Sequence, residues 1–356
     1  ASFATKARLS EKVYLSCMAL YCKSRLGDDG LVKEEVSEQD QGTIMEVFDE
    51  LCPPPYVQDI RIQGRQLPKW MMSTATMRLN SLRTLVMEDL ACCIQLTDGL
   101  CQLPWLEYLK VNCAPAIKCI GPEFVRPQSH RCYPSSHMVT AFPRLREMDL
   151  LEFVELEEWE WEEQVQAMHR LENLTPCDCK LRHFPLGLAS NASSLKILGL
   201  QHVKQLSYIE SFPSVVELEV NGCPDLERIT NLPNLQKLTI WNCPKLKVLE
   251  RITSLERLVL EDYNMGKLPE YMRDIKARHL LLFCRLWLLS AVAAGQSGTE
   301  WHKFSQLEYV KAYARDGDNQ RKWYVLYTRG DNCKLDSNIS SSTIFEGTEN
   351  KTYVMI

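Results

Sequence analysis

The chain has 356 residues, 45% hydrophobic and 24% charged, enough apolar material to bury a large core and too much for a disordered tail. Lys+Arg 41 against Asp+Glu 46 leave a formal net charge of -5, so there is no basic excess to neutralise a phosphate backbone, and nucleic acid is excluded as a general partner. The 15 cysteines are an odd number scattered from Cys17 to Cys333 in a chain too large to need staples, which points to reduced thiols and a cytosolic compartment.

In chain order, Ala1 to Lys6 has neither an initiator Met nor a charged segment before an apolar run, so it is not a signal peptide and reads as the cut edge of a longer protein. A first short strand is expected after Leu15. Thr43, with Glu46 three residues later and Ile44, Val47, Phe48 and Leu51 on one face, predicts a capped amphipathic helix over about 42–51, stopped by Pro53-Pro54-Pro55. Val57, Leu82 and Leu106 each open a further strand unit. Gly121, Pro122, Pro127, Pro134 and several serines then predict a mobile loop insertion over about 122–139. Leu145 opens the next unit, followed from Glu152 to Glu163 by seven glutamates around Trp159 and Trp161. That run reads first as a solvated segment anchored by its Trp rings, and second as a site for a basic partner.

After Leu171 come Cys177-Asp178-Cys179, with His169 and His183 nearby in sequence. Such soft side chains can hold metal, but CxC without a second close pair lacks the usual zinc spacing, and Cys179 occupies a packing position of the repeat, so the expectation is core and no metal. The clearest repetition follows: LKILGLQHVKQLSYIE from Leu195, VVELEVNGCPDLERI from Val215 and LQKLTIWNCPKLKVL from Leu235 start 20 residues apart, with offsets 0, 3, 5, 11 and 14 apolar in all three. Chance filling of all those positions has a probability of roughly 6 in a million per start and template. Leu255 keeps only the strand half, and Ala277 and Leu307 open two weaker copies. The run from Ala277 to Ala294 carries Arg278, His279 and Arg285, so it reads as a buried strand and a turn, not as a membrane span. Trp323, Val325 and Tyr327 alternate like one last strand, so residues 314–356 are expected to be a C-terminal cap strand and, from about Ser337, a polar tail.

Together these make about twelve irregular repeats over residues 1–313. One repeat cannot bury its apolar residues alone, and stacked neighbours supply the missing half of the core. The grammar LxxLxLxxC is that of leucine-rich repeats, and the expected fold is an α/β solenoid, a leucine-rich-repeat horseshoe with parallel strands on the concave face and loops and a few short helices outside. LSCMALYC, TIMEVFDELCPPP, YVQDIRIQGRQLPKWM, LRTLVMEDLACCIQL, LEYLKVNCAPAIKCIG, FPRLREMDLLEFVELEEW and the NCPKL turn at Asn242 to Leu246 resemble the repeat region of plant intracellular nucleotide-binding leucine-rich-repeat (NLR) disease-resistance proteins, the coiled-coil class typical of cereals.

The resemblance implies a cytoplasmic or nucleocytoplasmic receptor region that senses a pathogen effector, directly or through a guarded host protein, and restrains its own nucleotide-binding module. No GxxxxGK[ST] loop is present, so no cofactor is expected in this chain, and ADP or ATP would belong to a module upstream. Neither GxSxG nor a Cys, His and Asn set is found, so no enzyme is expected. The rival is a leucine-rich-repeat scaffold or substrate adaptor of a ubiquitin ligase. No segment is apolar enough to span a membrane.

Strand alternation gives the partner-binding candidates. If offsets 0, 3 and 5 point inward, offsets 2, 4 and 6 lie on the exposed face. In the later repeats those positions include Lys237, Trp241, Arg257, His279, Phe283, Tyr309 and Tyr313, the aromatic and basic composition of protein-binding hot spots. Earlier repeats place Glu147, Asp149, Glu217 and Glu219 there, so the face is expected to turn from acidic to aromatic and basic along the chain.

Overall fold

Twelve short strands each begin two residues after one of the repeat starts, from Cys17–Tyr21 after Leu15 to Tyr309–Arg315 after Leu307. They were located in a computed structural model, which describes residues 6–21, 25–26, 32–34, 38–72, 77–126, 140–162, 165–315, 321–330 and 334–339. The chain forms two compact units, Ala1–Lys204 and Gln205–Ile356.

In the first unit, seven parallel strands pair in chain order: Cys17–Tyr21, Asp59–Gln63, Thr84–Glu88, Tyr108–Asn112, Glu147–Leu151, Asn173–Cys179 and Ile197–Val203. The register never slips, and equivalent repeat positions stand opposite one another, such as Ile60, Leu85, Leu109, Met148, Leu174 and Leu198, all fully buried. The second unit repeats the plan with Glu217–Asn221, Lys237–Trp241, Arg257–Glu261, His279–Phe283 and Tyr309–Arg315. Here Leu218, Leu238, Leu258, Leu280 and Val310 form the inward row. A slip of one residue would turn each row out to solvent, so the apolar rows themselves specify the register.

The corner after each strand is built the same way. The residue seven after the repeat start takes positive φ in Asp89, Cys113, Glu152, Asp178, His202, Gly222 and Asn242. A left-handed residue bends the chain sharply and costs a non-glycine side chain about 1–2 kcal/mol. The bend carries the next side chain into the core, where Leu90, Ala114, Phe153, Cys179, Val203, Cys223 and Cys243 are all buried. Its N–H still extends the ladder: Glu152 N donates to Cys177 O at 3.0 Å and Asn242 N to Glu261 O at 3.0 Å. A second left-handed corner recurs at Ser211, Asn231 and Arg251.

Several elements differ from expectation. The first helix runs Glu38–Glu50, so Thr43 lies inside it and is no cap; Glu38, Gln39 and Gln41 are good helix formers that carry the helix backwards, while Pro53 stops it as expected. The start of the 122–139 insertion is packed: Pro122–Phe124 forms a 3-10 turn that buries Phe124 and Val125, Phe124 meeting Phe142 at 5.0 Å between ring centroids. Residues 127–139 of that insertion lie outside the described residues. After His279–Phe283 the chain forms a helix, Leu286–Ala293, where a turn was expected. Leu288, Leu289 and Val292 fall on one face of it and are buried, which helical spacing provides and a turn could not.

On the other side of the core, short strands replace some of the expected loops. Tyr208–Glu210, Arg228–Thr230 and Val248–Glu250 pair in parallel because three repeats of equal length bring their return segments into line. The end of the second unit carries two antiparallel strands, Arg321–Thr328 and Lys334–Ser337, where one was expected. The tail beyond residue 339 lies outside the described residues. Among the described residues, no helix is long and apolar enough to cross a membrane, and twelve cysteines are free thiols.

Candidate binding face of the C-terminal unit

All seven candidate residues belong to the second unit, on four consecutive strands in strict register. Lys237, Arg257, His279 and Tyr309 form one cross-strand row, and Trp241, Glu261, Phe283 and Tyr313 another. Between them runs a third row, Thr239, Val259, Leu281 and Lys311. Neighbouring strands lie about 4.8 Å apart, so residues in one row touch directly.

The first row closes around a hollow of about 280 Å³ lined by Lys237, Arg257, Val259, His279, Leu280, Leu281, Tyr309 and Lys311. Its floor is aliphatic and its rim is cationic and aromatic. The His279 and Tyr309 rings stack with centroids 5.0 Å apart and planes 9° from parallel, which holds both on the rim. Tyr309 is 42% exposed and Trp241, at the end of its strand, 38% exposed. Lys237 is held by Glu217 of the preceding strand. Arg257 and Lys311 are exposed and, among the described residues, have no side-chain partner. Two exposed cations beside aliphatic and aromatic surface have the chemistry to meet a carboxylate-bearing side chain with an apolar neighbour.

The second row behaves differently. Phe283 was expected on the exposed face but is 5% exposed. Its ring stacks on Tyr313 at 5.9 Å between centroids, and the Arg315 guanidinium lies 5.4 Å from its centroid. The register places it on the outward side as expected; it is buried because a large ring, an adjacent Tyr and an Arg from the end of the next strand cover one another. Trp241, Phe283 and Tyr313, all of this second row, lie beside the hollow and do not line it. Val259, Leu280, Leu281 and Lys311 belong to the hollow in their place; Leu280 escapes an alternation argument because its side chain points to the core and closes the floor.

The acidic positions are partly neutralised from within. Glu217 is taken by Lys237, and in the first unit Asp149 accepts the Tyr108 hydroxyl at 2.8 Å. Burial, reinforced by Asp149, pushes the Tyr108 hydroxyl up from its ordinary value. Four glutamates of the run are paired: Glu155 meets Lys180 at 2.8 Å, Glu157 and Glu158 meet Arg182 at 2.5 and 3.5 Å, and Glu162 meets Arg126. Trp159 beneath it is buried. The solvated-segment reading of that run thus has the geometry on its side. Cys179 is core as expected, but Cys177 and Asp178 point away from it, toward His202 and not toward His169 or His183.

A family model described as R13L1/DRL21 LRRs matches residues 1–114, within the first unit. Each unit is a leucine-rich-repeat solenoid. No curated protein matches the chain. A leucine-rich-repeat solenoid is a protein-interaction domain: its repeated strands present a broad side-chain surface on a rigid frame.

Proposed function

We propose that this chain is the protein-recognition region of a plant intracellular NLR immune receptor, of the coiled-coil class, and that it acts without catalysis in the cytoplasm or nucleocytoplasm. It senses a pathogen effector, directly or through a host protein, and helps to restrain a nucleotide-binding module that carries the ADP or ATP. The family match over residues 1–114 and the resistance-protein-like blocks Leu9 to Met71 support the receptor class. The observation that carries the recognition surface is the hollow beside Arg257 and Lys311, flanked by exposed Tyr309 and Trp241. In the resting state the surface docks on the receptor's own module, and a sensed protein that competes for it shifts the population toward release.

The test is binding of this chain to a separately expressed nucleotide-binding module of the same receptor. Trp241→Ala, Arg257→Ala and Tyr309→Ala combined are expected to weaken binding at least ~10-fold, about 1.4 kcal/mol, with an unchanged melting temperature. Wild-type binding that the triple variant leaves intact would move the resting contact off this face. No binding by wild type would remove the restraint role.

A further inference from the structure

Cys177 and Asp178 close the Asn173–Cys179 strand, and His202 stands beside Asp178 on the parallel Ile197–Val203 strand, where Cys177 opposes Gln201 and Cys179 opposes Val203. Asp178 and His202 occupy equivalent left-handed corners, with φ 52° in both, so their side chains leave the sheet edge in the same direction. Asp178 Oδ1 lies 3.1 Å from His202 Nδ1, and Cys177 Sγ donates to Asp178 Oδ2 at 3.1 Å. One sulfur, one imidazole nitrogen and one carboxylate oxygen fall within 4.8 Å of one another.

Metal-ligand bonds of 2.0–2.3 Å at tetrahedral angles set ligand atoms about 3.3–3.7 Å apart, so small side-chain rotations complete the geometry. Cys177 and Asp178 are half-buried on the rigid sheet edge while His202 is exposed, which leaves an open approach and room for a water as fourth ligand. The donor set is too soft for Ca²⁺ or Mg²⁺, which take oxygen ligands, and suits a borderline ion of the Zn²⁺ class. A Cys–His–Asp hydrolytic triad is the competing chemistry. It fails on geometry: the Cys177 thiol donates to Asp178 Oδ2, and the His202 ring meets Asp178 Oδ1, so the imidazole is placed on the carboxylate and not on the sulfur it would have to deprotonate.

We propose that Cys177, Asp178 and His202 form a site for one Zn²⁺-class ion that ties the repeat opening at Leu171 to the one opening at Leu195. The ion takes the place of the Cys177 thiol proton, which is released to solvent, and of the hydrogen on His202 Nδ1, which moves to the tautomer carrying it on Nε2; Asp178 contributes one carboxylate oxygen. The sulfur stays in its reduced oxidation state and no electron is transferred.

The whole chain, stripped with chelator under reducing conditions, is titrated with Co²⁺ and then Zn²⁺. One equivalent of Co²⁺ is expected to give a thiolate charge-transfer band and tetrahedral visible bands that Zn²⁺ abolishes, and Zn²⁺ is expected to raise the melting temperature. Cys177→Ser and Asp178→Asn remove the band, and His202→Gln, an exposed change that keeps the fold, weakens Co²⁺ binding at least ~10-fold. Absence of a band in wild type overturns the proposal. So does a band that survives in His202→Gln and Cys177→Ser, which would place the ion on other thiols.

Discussion

Lys303 offers the sharpest energetic test of the C-terminal unit because the residue is 2% exposed and Glu300 beside it 6% exposed. Lys303 Nζ donates to Leu268 O at 2.6 Å and meets Glu270 at 3.0 Å and Glu300 at 3.4 Å. Glu300 in turn accepts the Leu268 N–H at 2.9 Å, so the two side chains satisfy both backbone groups of one residue. Lys303→Met leaves the Leu268 carbonyl without its donor and Glu300 as a buried charge with no cation, a loss of about 3–5 kcal/mol. Glu300→Gln retains an oxygen for the Leu268 N–H and leaves Lys303 its contact with Glu270, so it costs about 1–3 kcal/mol. In the double variant no buried charge remains, and its cost falls short of the sum by about 1.5–3 kcal/mol.

Urea unfolding followed by tryptophan fluorescence measures this, with Trp301 on the same short helix as Lys303 reporting the local transition. The pH dependence has a definite sign. Lys303 holds the Glu270 carboxyl below its ordinary value, so this contact stabilises the fold above the unfolded pKa near 4.3 and is lost as pH falls through the folded value. A Lys303→Met cost below about 1 kcal/mol, or a double variant equal to the sum of its singles, would refute the reading of these groups as one coupled buried cluster.

Two further outcomes follow from the corners and the thiols. Arg251 is exposed at φ 54°, so Arg251→Gly relieves left-handed strain of about 1–2 kcal/mol against a glycine entropy cost of about 0.5–1 kcal/mol; a net gain in stability is expected by urea unfolding, and a loss would refute the corner argument. Exposed Cys17 and Cys92 should alkylate with iodoacetamide in the folded protein, while Cys101 and Cys284, pushed up to about 12 chiefly by burial, label only in denaturant, as read by peptide mass mapping. Because those two thiols stay protonated in the fold above the unfolded value near 8.5, their contribution is full below that pH and is lost as pH rises toward 12. A urea midpoint at pH 10 equal to that at pH 7 would contradict it.

What could be read in the sequence was what the core repeats. Leu218, Leu238 and Leu258 stand opposite one another because each repeat must supply the same piece of a shared core, and a requirement met repeatedly leaves a period. The weak copy at Ala277 kept its register too, since Leu280 and Leu282 are buried as the spacing required. Side chains used once leave no such trace. Lys303 and Glu300 lie in a 30-residue spacing between Ala277 and Leu307, and nothing local marks them as buried. The helix Leu286–Ala293 escaped for a related reason: a short apolar run following a strand is compatible with a turn or a helix until its packing partner is known.

The binding candidates show where alternation stops being sufficient. Alternation tells which way a strand residue points but not what its neighbours do with the space, and Phe283 points outward yet is covered by Tyr313 and Arg315. Arg315 lies two residues beyond Tyr313, in a strand that outlasts the one carrying Phe283, so the cover depends on strand length as well as on face. His202 illustrates the converse. It has no motif partner in its own repeat, but its corner position seven residues after Leu195 matches that of Asp178 after Leu171, and stacking makes them neighbours. In a solenoid, chemistry that spans two repeats is written at equal offsets in successive copies, so a search for sites should align the copies first and compare the columns, corners included. By that rule Asp178 and His202 could have been paired from sequence, whereas the partner cover over Phe283 needed the three-dimensional arrangement.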